Sequence, residues 1–416
     1  MNSKLPRTAF WMLGFLLFLA VFRDVLANGR PLYCRIEGQT YWPGLRSVWT
    51  SENVPYQAEA LRRLQNNVHA LEAWKNPASY DSSPIYAPIP FSPGEKSSLH
   101  PGIFVPPGST HPGLEAPFKH WLGTDAEGRD VAATVVSGAR IALITGSLAM
   151  AVALLIGLSL GLLAGFWGDD GWKVTRGQLI FFFLGLPVAW FFAVTVRSHS
   201  LDTDKTGAAV ATTVSVFLFI MFVFNAFGSF LERLSFFSKR ISFPVDALVM
   251  RIAEVFSAIP RLILVIALAV ALRGFTQESI WMMIVLMGGL GWTGVAKLVR
   301  AALLRERSLE YILAARGLGI PEWRVLLRHA LPNVLRAVYI SVAFGAAGAV
   351  LLESYLSFLG FGGPSWRGIS WGSLFFNENS TANPLETWWI TLFPGLMIFI
   401  TVLSLNRMGE YLSEHP

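Results

Sequence analysis

Residues 309–336, LEYILAARGLGIPEWRVLLRHALPNVLR, form a polar, arginine-bearing island between two hydrophobic runs. Lipid offers no hydrogen-bond partners for such a segment, so it lies in water on one face of a membrane. Its charge says which face. Between Lys297 and Arg336, eight Lys/Arg (Lys297, Arg300, Arg305, Arg307, Arg316, Arg324, Arg328, Arg336) stand against Glu306, Glu310 and Glu322. Short loops rich in Lys and Arg stay cytoplasmic.

The composition agrees with a membrane setting. The chain has 416 residues, 53% hydrophobic and only 14% charged, with 31 Phe and 15 Trp. That balance describes an all-α polytopic membrane protein rather than a soluble one. The formal charge of +6 is concentrated in the one island, so it is a topology signal and not a nucleic-acid surface. Cys34 is the single cysteine, which excludes an intrachain disulfide and a thiolate metal cluster. The stretch LANGRPLYC lacks the small residues that a lipoprotein cleavage site needs next to its cysteine.

The first apolar run, Ala9 to Phe22, follows Lys4 and Arg7 and continues through Val25-Leu26-Ala27. A signal peptide is the competing reading, because the run is short and its end resembles a cleavage site. Residues 9–27 make roughly 28 Å of helix, close to the hydrocarbon thickness, which favours a retained anchor over 1–27. Arg23 and Asp24 then belong at the far interface, where an arginine snorkels. Residues 28–120 carry 13 of the 23 prolines and no spanning run. They read as an extracytoplasmic segment with little regular structure beyond a helix around Tyr56–Trp74. Trp42, Trp49 and Trp74 either pack a small core there or lie on the membrane surface.

Further spans are expected at about 140–165, 178–196, 208–230, 247–272, 279–297, 334–352 and 387–406. Gly185-Leu186-Pro187 interrupts the third span and Pro260 the fifth. Spans 178–196 and 208–230 are also compatible with a re-entrant pair. With the amino terminus inside, eight spans return the carboxyl terminus inside. They also place Arg233, Lys239, Arg240 and the island in the cytoplasm, as the charge rule requires.

Within the island, good helix formers run from Arg300 to Arg316, and Gly317 and Gly319 end that helix. Pro321 opens a second short helix through Ala330, which Leu331-Pro332 then breaks. The product is a helix-turn-helix beside the membrane. Ala314 and Ala315 leave little side chain to hold a partner off, and the glycines let backbone approach closely. Trp323, Leu326 and Leu327 supply apolar anchors, and Glu310 and Arg316 are charged members of the same set. A solvated loop is the bland alternative, but loops of this length seldom lack a purpose.

Three other constellations were weighed. Asp125, Glu127 and Asp130 offer oxygen ligands, but Arg129 between them argues for a charged cap on a membrane helix rather than a metal site. Arg251, Glu254 and Arg261 are ionisable groups near or inside lipid depth, where charge points to a partner or a pathway. Arg251 and Glu254 are three apart and can pair, or can both sit at the cytoplasmic interface. Gly288-Gly289-Leu290-Gly291 with Gly294, and Ser341–Gly345–Ala349, allow close helix approach. Enzyme signatures are missing. No phosphate loop exists, the nearest sequence being GGLGWTGVAK with Val295 after its last glycine. Seven scattered His give no zinc spacing and Gly-x-Ser-x-Gly is absent, so no cofactor, metal or catalytic residue is expected.

The island resembles the cytoplasmic signature of ATP-binding-cassette importer permeases of the dipeptide/oligopeptide (C-type) family. That signature is Glu-Ala-Ala, three residues, Gly, nine residues, Ile, one residue, Leu-Pro. It maps onto Ala314, Ala315, Gly319, Leu331 and Pro332, with Leu313 in place of the glutamate and His329 in place of the isoleucine. The segment Gly123, Thr124, Asp125, Gly128, Arg129, Asp130 and its continuation Ser137-Gly138-Ala139-Arg140-Ile141 resemble the family's motif before the second span. Met250-Arg251, Ile259-Pro260, Leu356–Gly360 with Ser370-Trp371-Gly372, and Phe393-Pro394-Gly395-Leu396 match in order. Residues 28–120 and a hydrophobic pair within about 170–243 depart from the family's usual six spans.

The resemblance implies a six-helix permease domain over 121–416, plus that inserted pair and a coupling hairpin at about 300–333. It implies half of a pathway for uptake of peptides or similar small solutes in a bacterial inner membrane. Two cytoplasmic ATPase subunits, a second homologous permease and an extracytoplasmic binding protein would be the partners. The Phe358–Trp371 loop and residues 28–120 are candidates to meet the binding protein. The rival is an ion-coupled secondary transporter or channel, which needs midplane carboxylates and internal repeats. No expected span centre carries Asp or Glu, and no halves repeat.

Overall fold

The computed structural model describes residues 7–46, 56–67, 70–96, 104–111, 114, 118–169, 173–197, 207–234, 236–272, 280–361, 369–375 and 386–414. Trp49 and most of the Phe358–Trp371 loop lie outside the described residues. Among the described residues seven helices are long and apolar enough to cross a membrane, and a broken pair makes an eighth candidate span. The expected runs are all present, most of them longer than the apolar stretch alone indicated. They are α1 (Arg7–Leu26), α4 (Val131–Trp167), α5 (Arg176–Trp190), α6 (Gly207–Phe230), α7 (Val245–Ala258) with α8 (Arg261–Leu272), α9 (Ile280–Arg307), α11 (Leu331–Phe358) and α12 (Trp388–Glu414). Ile259-Pro260 separates α7 from α8, as expected from the missing proline N–H. Residues 1–156, 259–295 and 335–416 form one compact unit, and 157–258 with 296–334 form another.

In the first unit α1 packs against α12. Arg23 and Asp24, near the end of α1, are buried by protein. Asp24 accepts from Arg140 of α4 at 2.8 Å and lies 3.1 Å from Arg23 Nε, while Arg140 Nε donates to the Ala20 carbonyl at 2.7 Å. The contacts compensate charges that burial would otherwise penalise.

Residues 28–120 are more ordered than their prolines suggest. A hairpin of β1 (Cys34–Ile36) and β2 (Gln39–Tyr41) carries Glu37 and Gly38 at its turn, both with positive φ. The expected helix over Tyr56–Trp74 is two short ones, α2 (Glu59–Gln65) and α3 (Ala70–Lys75). Cys34, Ile36, Tyr56, Leu61 and Trp74 form their core. Trp74 is buried as the core reading required, but Trp42 is exposed. Burial pushes the Cys34 thiol up to about 11.

The larger core of this unit lies around α4. Trp371 is buried, donates from Nε1 to the Val135 carbonyl at 2.8 Å, and fills the space beside Gly138, where any side chain would overlap its ring. Trp389 of α12 donates likewise to the Thr124 carbonyl at 3.0 Å. A Cβ at Gly146 would lie 2.8 Å from Val350 of α11, and one at Gly288 2.6 Å from Val152. These glycines set how closely α4, α9 and α11 approach.

The second unit repeats the device farther along the same helices. A Cβ at Gly161 would stand 2.7 Å from Ala296 O and Val299 Cβ of α9, and Arg307 donates to the Gly165 carbonyl at 2.8 Å. Asp246 at the start of α7 pairs with Arg300, and Asp169 accepts from the Ala247 N–H at 3.0 Å. Helices α5 and α6 lie side by side, with Gly177 against Gly228 and Gly185 against Phe224. β3 (Lys173–Thr175) and β4 (Arg240–Ser242) pair across their base. The expected interruption at Pro187 does not occur: α5 runs through it into a π-helical turn at Phe191–Thr195. Each member of the pair is long enough to span alone.

Two outcomes follow. Trp371→Ala removes a fully buried indole and its hydrogen bond, and is expected to destabilise the fold by about 3–5 kcal/mol, read as a lowered Tm in detergent. Cys34 should react with maleimide at pH 8 about a hundredfold more slowly in the native protein than after denaturation, because little thiolate is present. Equal rates would refute its burial.

Candidate functional site

The 309–336 island folds as a closed hairpin, with differences from the sequence expectation. The first helix is not continuous from Arg300 to Arg316. α9 ends at Arg307, the chain turns at Ser308-Leu309, and α10 (Glu310–Gly317) starts afresh. The second helix is not broken at Leu331-Pro332 either. A single turn, Glu322–Arg324, leads into a π-helical stretch, Val325–Ala330, which continues directly into α11. Proline clashes with the carbonyl four residues back and offers no N–H. The wider π turn immediately before Pro332 absorbs both demands, so the helix proceeds unbroken.

Polar contacts close the hairpin at both ends. At its base the Tyr311 hydroxyl donates to the Glu306 carboxylate, and Asn333 Nδ2 donates to Tyr311 Oη at 2.8 Å. Partial burial and the bond to Glu306 raise the Tyr311 phenol above its ordinary range, which keeps it a donor. At its tip Arg316 and Glu322 form an ion pair at 3.0 Å. Gly319 has φ +74° with nothing near where a Cβ would sit. Its role is therefore the left-handed turn and not close packing against its own chain.

Burial divides the predicted site residues. Ala315 faces the hairpin interior with Ile312, Val325, Leu326 and Ala330. The expectation that Ala315 and Leu326 face a partner is thus corrected, since helical spacing puts them on the inward stripe. Glu310, Ala314, Gly317, Gly319 and Trp323 are exposed, Arg316 and Leu331 are half-buried, and Pro332 is exposed. Leu318 is 81% exposed, and Leu313, Trp323 and Leu327 are also largely open. Four large apolar side chains on a charged hairpin make a patch of the kind that marks an interaction site.

The Gly123–Asp130 segment is a capping loop. Asp125 accepts from the N–H groups of Glu127 and Arg129, each at 2.9 Å, and pairs with Arg129 Nε at 2.6 Å. Asp130 accepts from the Ala133 N–H at 2.7 Å and so caps α4. Thr124 accepts from the Val105 N–H at 2.8 Å. Gly123 and Gly128 have φ +80° and +73°, and a Cβ on Gly123 would lie 2.7 Å from Trp389 Nε1. The carboxylates are engaged by backbone N–H groups and by Arg129, Lys96 and His120. Among the described residues no cluster is suited to a metal ion.

Sequence reasoning missed two features here. His120 Nδ1 lies 2.7 Å from Asp130, His111 Nδ1 lies 2.9 Å from His120 Nε2, and all three residues are buried. Scattered histidines carry no periodic signal, so nothing in the sequence linked them. Glu353 was overlooked because α11 runs six residues past the apolar stretch. It is 2% exposed and accepts from the Ser357 hydroxyl at 2.7 Å. It lies near the helix end and not at midspan. Arg251 and Glu254 do pair, at 2.8 Å, on an exposed face of α7.

Residues 227–415 match the family model described as binding-protein-dependent transport system inner membrane component. The chain is 30% identical over 225 residues to a Brucella ovis protein named as a peptide permease, covering 54% of this chain and 71% of that protein. It is 26% identical over 316 residues to a dipeptide transport system permease protein of Bacillus subtilis, covering 76% and 74% of the two chains. An oligopeptide transport system permease protein of Haemophilus influenzae is 28% identical over 257 residues, which is 57% of this chain and 80% of that protein.

The hairpin geometry gives a local prediction. Gly319→Val forces a β-branched residue into the left-handed region, at a cost on the order of 1–3 kcal/mol. Proteolysis and hydrogen exchange across 310–330 should increase while total helix content stays unchanged. Unaltered protection would show that the turn does not need glycine.

Proposed function

The chain belongs to the permease family of binding-protein-dependent transport systems, and we propose that its 309–332 hairpin is the docking element for a separate ATP-hydrolysing subunit. It is a multi-pass membrane permease subunit of an ATP-binding-cassette importer. We assign it to a bacterial inner membrane, where it would form half of an inward pathway for peptides or similar small solutes.

The observation that carries the docking role is the exposed apolar patch of Leu313, Leu318, Trp323 and Leu327 on a hairpin pinned at both ends. Such residues have no reason to stay exposed in water unless a partner covers them. Glu310, Ala314, Arg316, Gly317, Gly319, Leu331 and Pro332 would shape or border that surface, with Ala315 supporting it from within. A ligand or partner shifts a conformational equilibrium only through contacts that differ between its states. A hairpin closed at both ends and followed directly by α11 suits that requirement.

A second, homologous permease would complete the pathway. Two ATPase subunits would supply the energy, and a binding protein would deliver solute to residues 28–120 and the loop before Trp371. The capping loop at Gly123–Asp130 would fix the start of α4 beneath that surface.

Leu318→Asp with Trp323→Asp should leave the permease inserted in the membrane while the ATPase subunits no longer co-purify with it. ATP-dependent uptake should fall at least tenfold, on the scale expected when interface hot spots are lost. Normal co-purification of the double variant would overturn the docking role.

A further inference from the structure

Arg261 is the one ionisable residue of the broken span Val245–Leu272 that has no carboxylate partner among the described residues. It lies near the middle of that span, just after the Ile259-Pro260 break. Asp246 pairs with Arg300, and Arg251 pairs with Glu254. Arg261 instead lays its guanidinium across α9, where Nη2 donates to the Met287 carbonyl at 2.8 Å. That position exists because residue 291 is glycine: a Cβ there would lie 2.9 Å from Nη2. Beyond it opens a cavity of about 280 Å³ within the first unit, lined by α4, α8, α9 and α11. Among the described residues Arg261 is the only charged one in its wall. Ser341 contributes a hydroxyl, and Gly294 and Gly345 keep the wall thin.

We propose that Arg261 and this cavity form an anion subsite on the translocation path, which takes the carboxylate end of the passing solute. An arginine exposed to hydrocarbon at this depth is costly, yet Arg261 keeps an exposed flank. A water-filled path resolves that conflict. One edge of the guanidinium is held by Met287, and the other donors stay free for the paired hydrogen bonds a carboxylate accepts. The volume is at the low end for ligand pockets, suited to a terminal residue and not to a whole oligopeptide. A single cation with no neighbouring acid favours a carboxylate over an amino terminus. The inference rests on the permease reading and adds to it a rule for which end of the solute is recognised.

The test compares ATP-driven uptake of radiolabelled trialanine and its carboxy-terminal amide by the complete transporter in phosphatidylcholine vesicles. The binding protein is the same throughout, so its own preference cancels when permease variants are compared. Arg261→Gln should lower the acid-to-amide uptake ratio about tenfold, the loss expected for one charge-assisted pair. Gly291→Ala, which displaces the guanidinium but keeps the charge, should lower it in the same direction. Arg261→Lys should retain part of the preference.

An unchanged ratio in Arg261→Gln, with uptake intact, would overturn the subsite and leave the permease reading standing. Loss of the second permease from the purified Arg261→Gln complex would also overturn it, in favour of an interface ion pair. An effect confined to vesicles containing phosphatidylglycerol would overturn it in favour of a lipid headgroup. Absence of ATP-dependent uptake of both peptides by the unsubstituted transporter would instead fail the peptide reading, and the subsite with it.

Discussion

Close backbone approach along α4 is the constraint on which the remaining architecture rests. Inside a bilayer, apolar side chains gain little by leaving lipid for protein, so helices associate through packing contact and polar bonds. Gly138 admits the Trp371 ring, Gly146 admits Val350 and Gly161 admits the α9 backbone. Each of these contacts disappears if a methyl group is added. The same helix thereby contributes to both compact units, and its start is fixed by the Asp130 cap.

Several charges within the helices are paired across elements. Asp24 with Arg140 ties α1 to α4, and Asp246 with Arg300 ties α7 to α9. Removing one member of such a pair leaves an uncompensated ion, which costs more than the pair itself contributes. Glu353 is settled within its own helix by Ser357. Arg261 departs from this pattern, and it is also the residue that faces a cavity.

The 309–336 hairpin divides its side chains between an inward and an outward face. Its inward stripe of Ile312, Ala315, Val325 and Leu326 holds two short elements together, and the Tyr311–Glu306–Asn333 contacts brace its base. Leu313, Leu318, Trp323 and Leu327 remain outside, among exposed charges. The π turn at Val325–Ala330 is the local adjustment that lets Pro332 sit inside a continuous helix.

Much of this was legible in the sequence, because membrane topology depends on quantities a linear chain displays: apolar length, the placement of Lys and Arg, and breaker residues. The spans and the turn at Gly319 follow from those, and the importer family from its resemblance at Ala314, Ala315, Gly319, Leu331 and Pro332. The tertiary structure decided which residues of the hairpin face outward, because a helix stripe is oriented only once its partner is in place. It also decided that Arg23 and Asp24 are buried, that His111 and His120 join Asp130, and that Arg261 meets Gly291. Each of these depends on residues distant in the chain, whose pairing is fixed by packing geometry that leaves no periodic mark in the sequence.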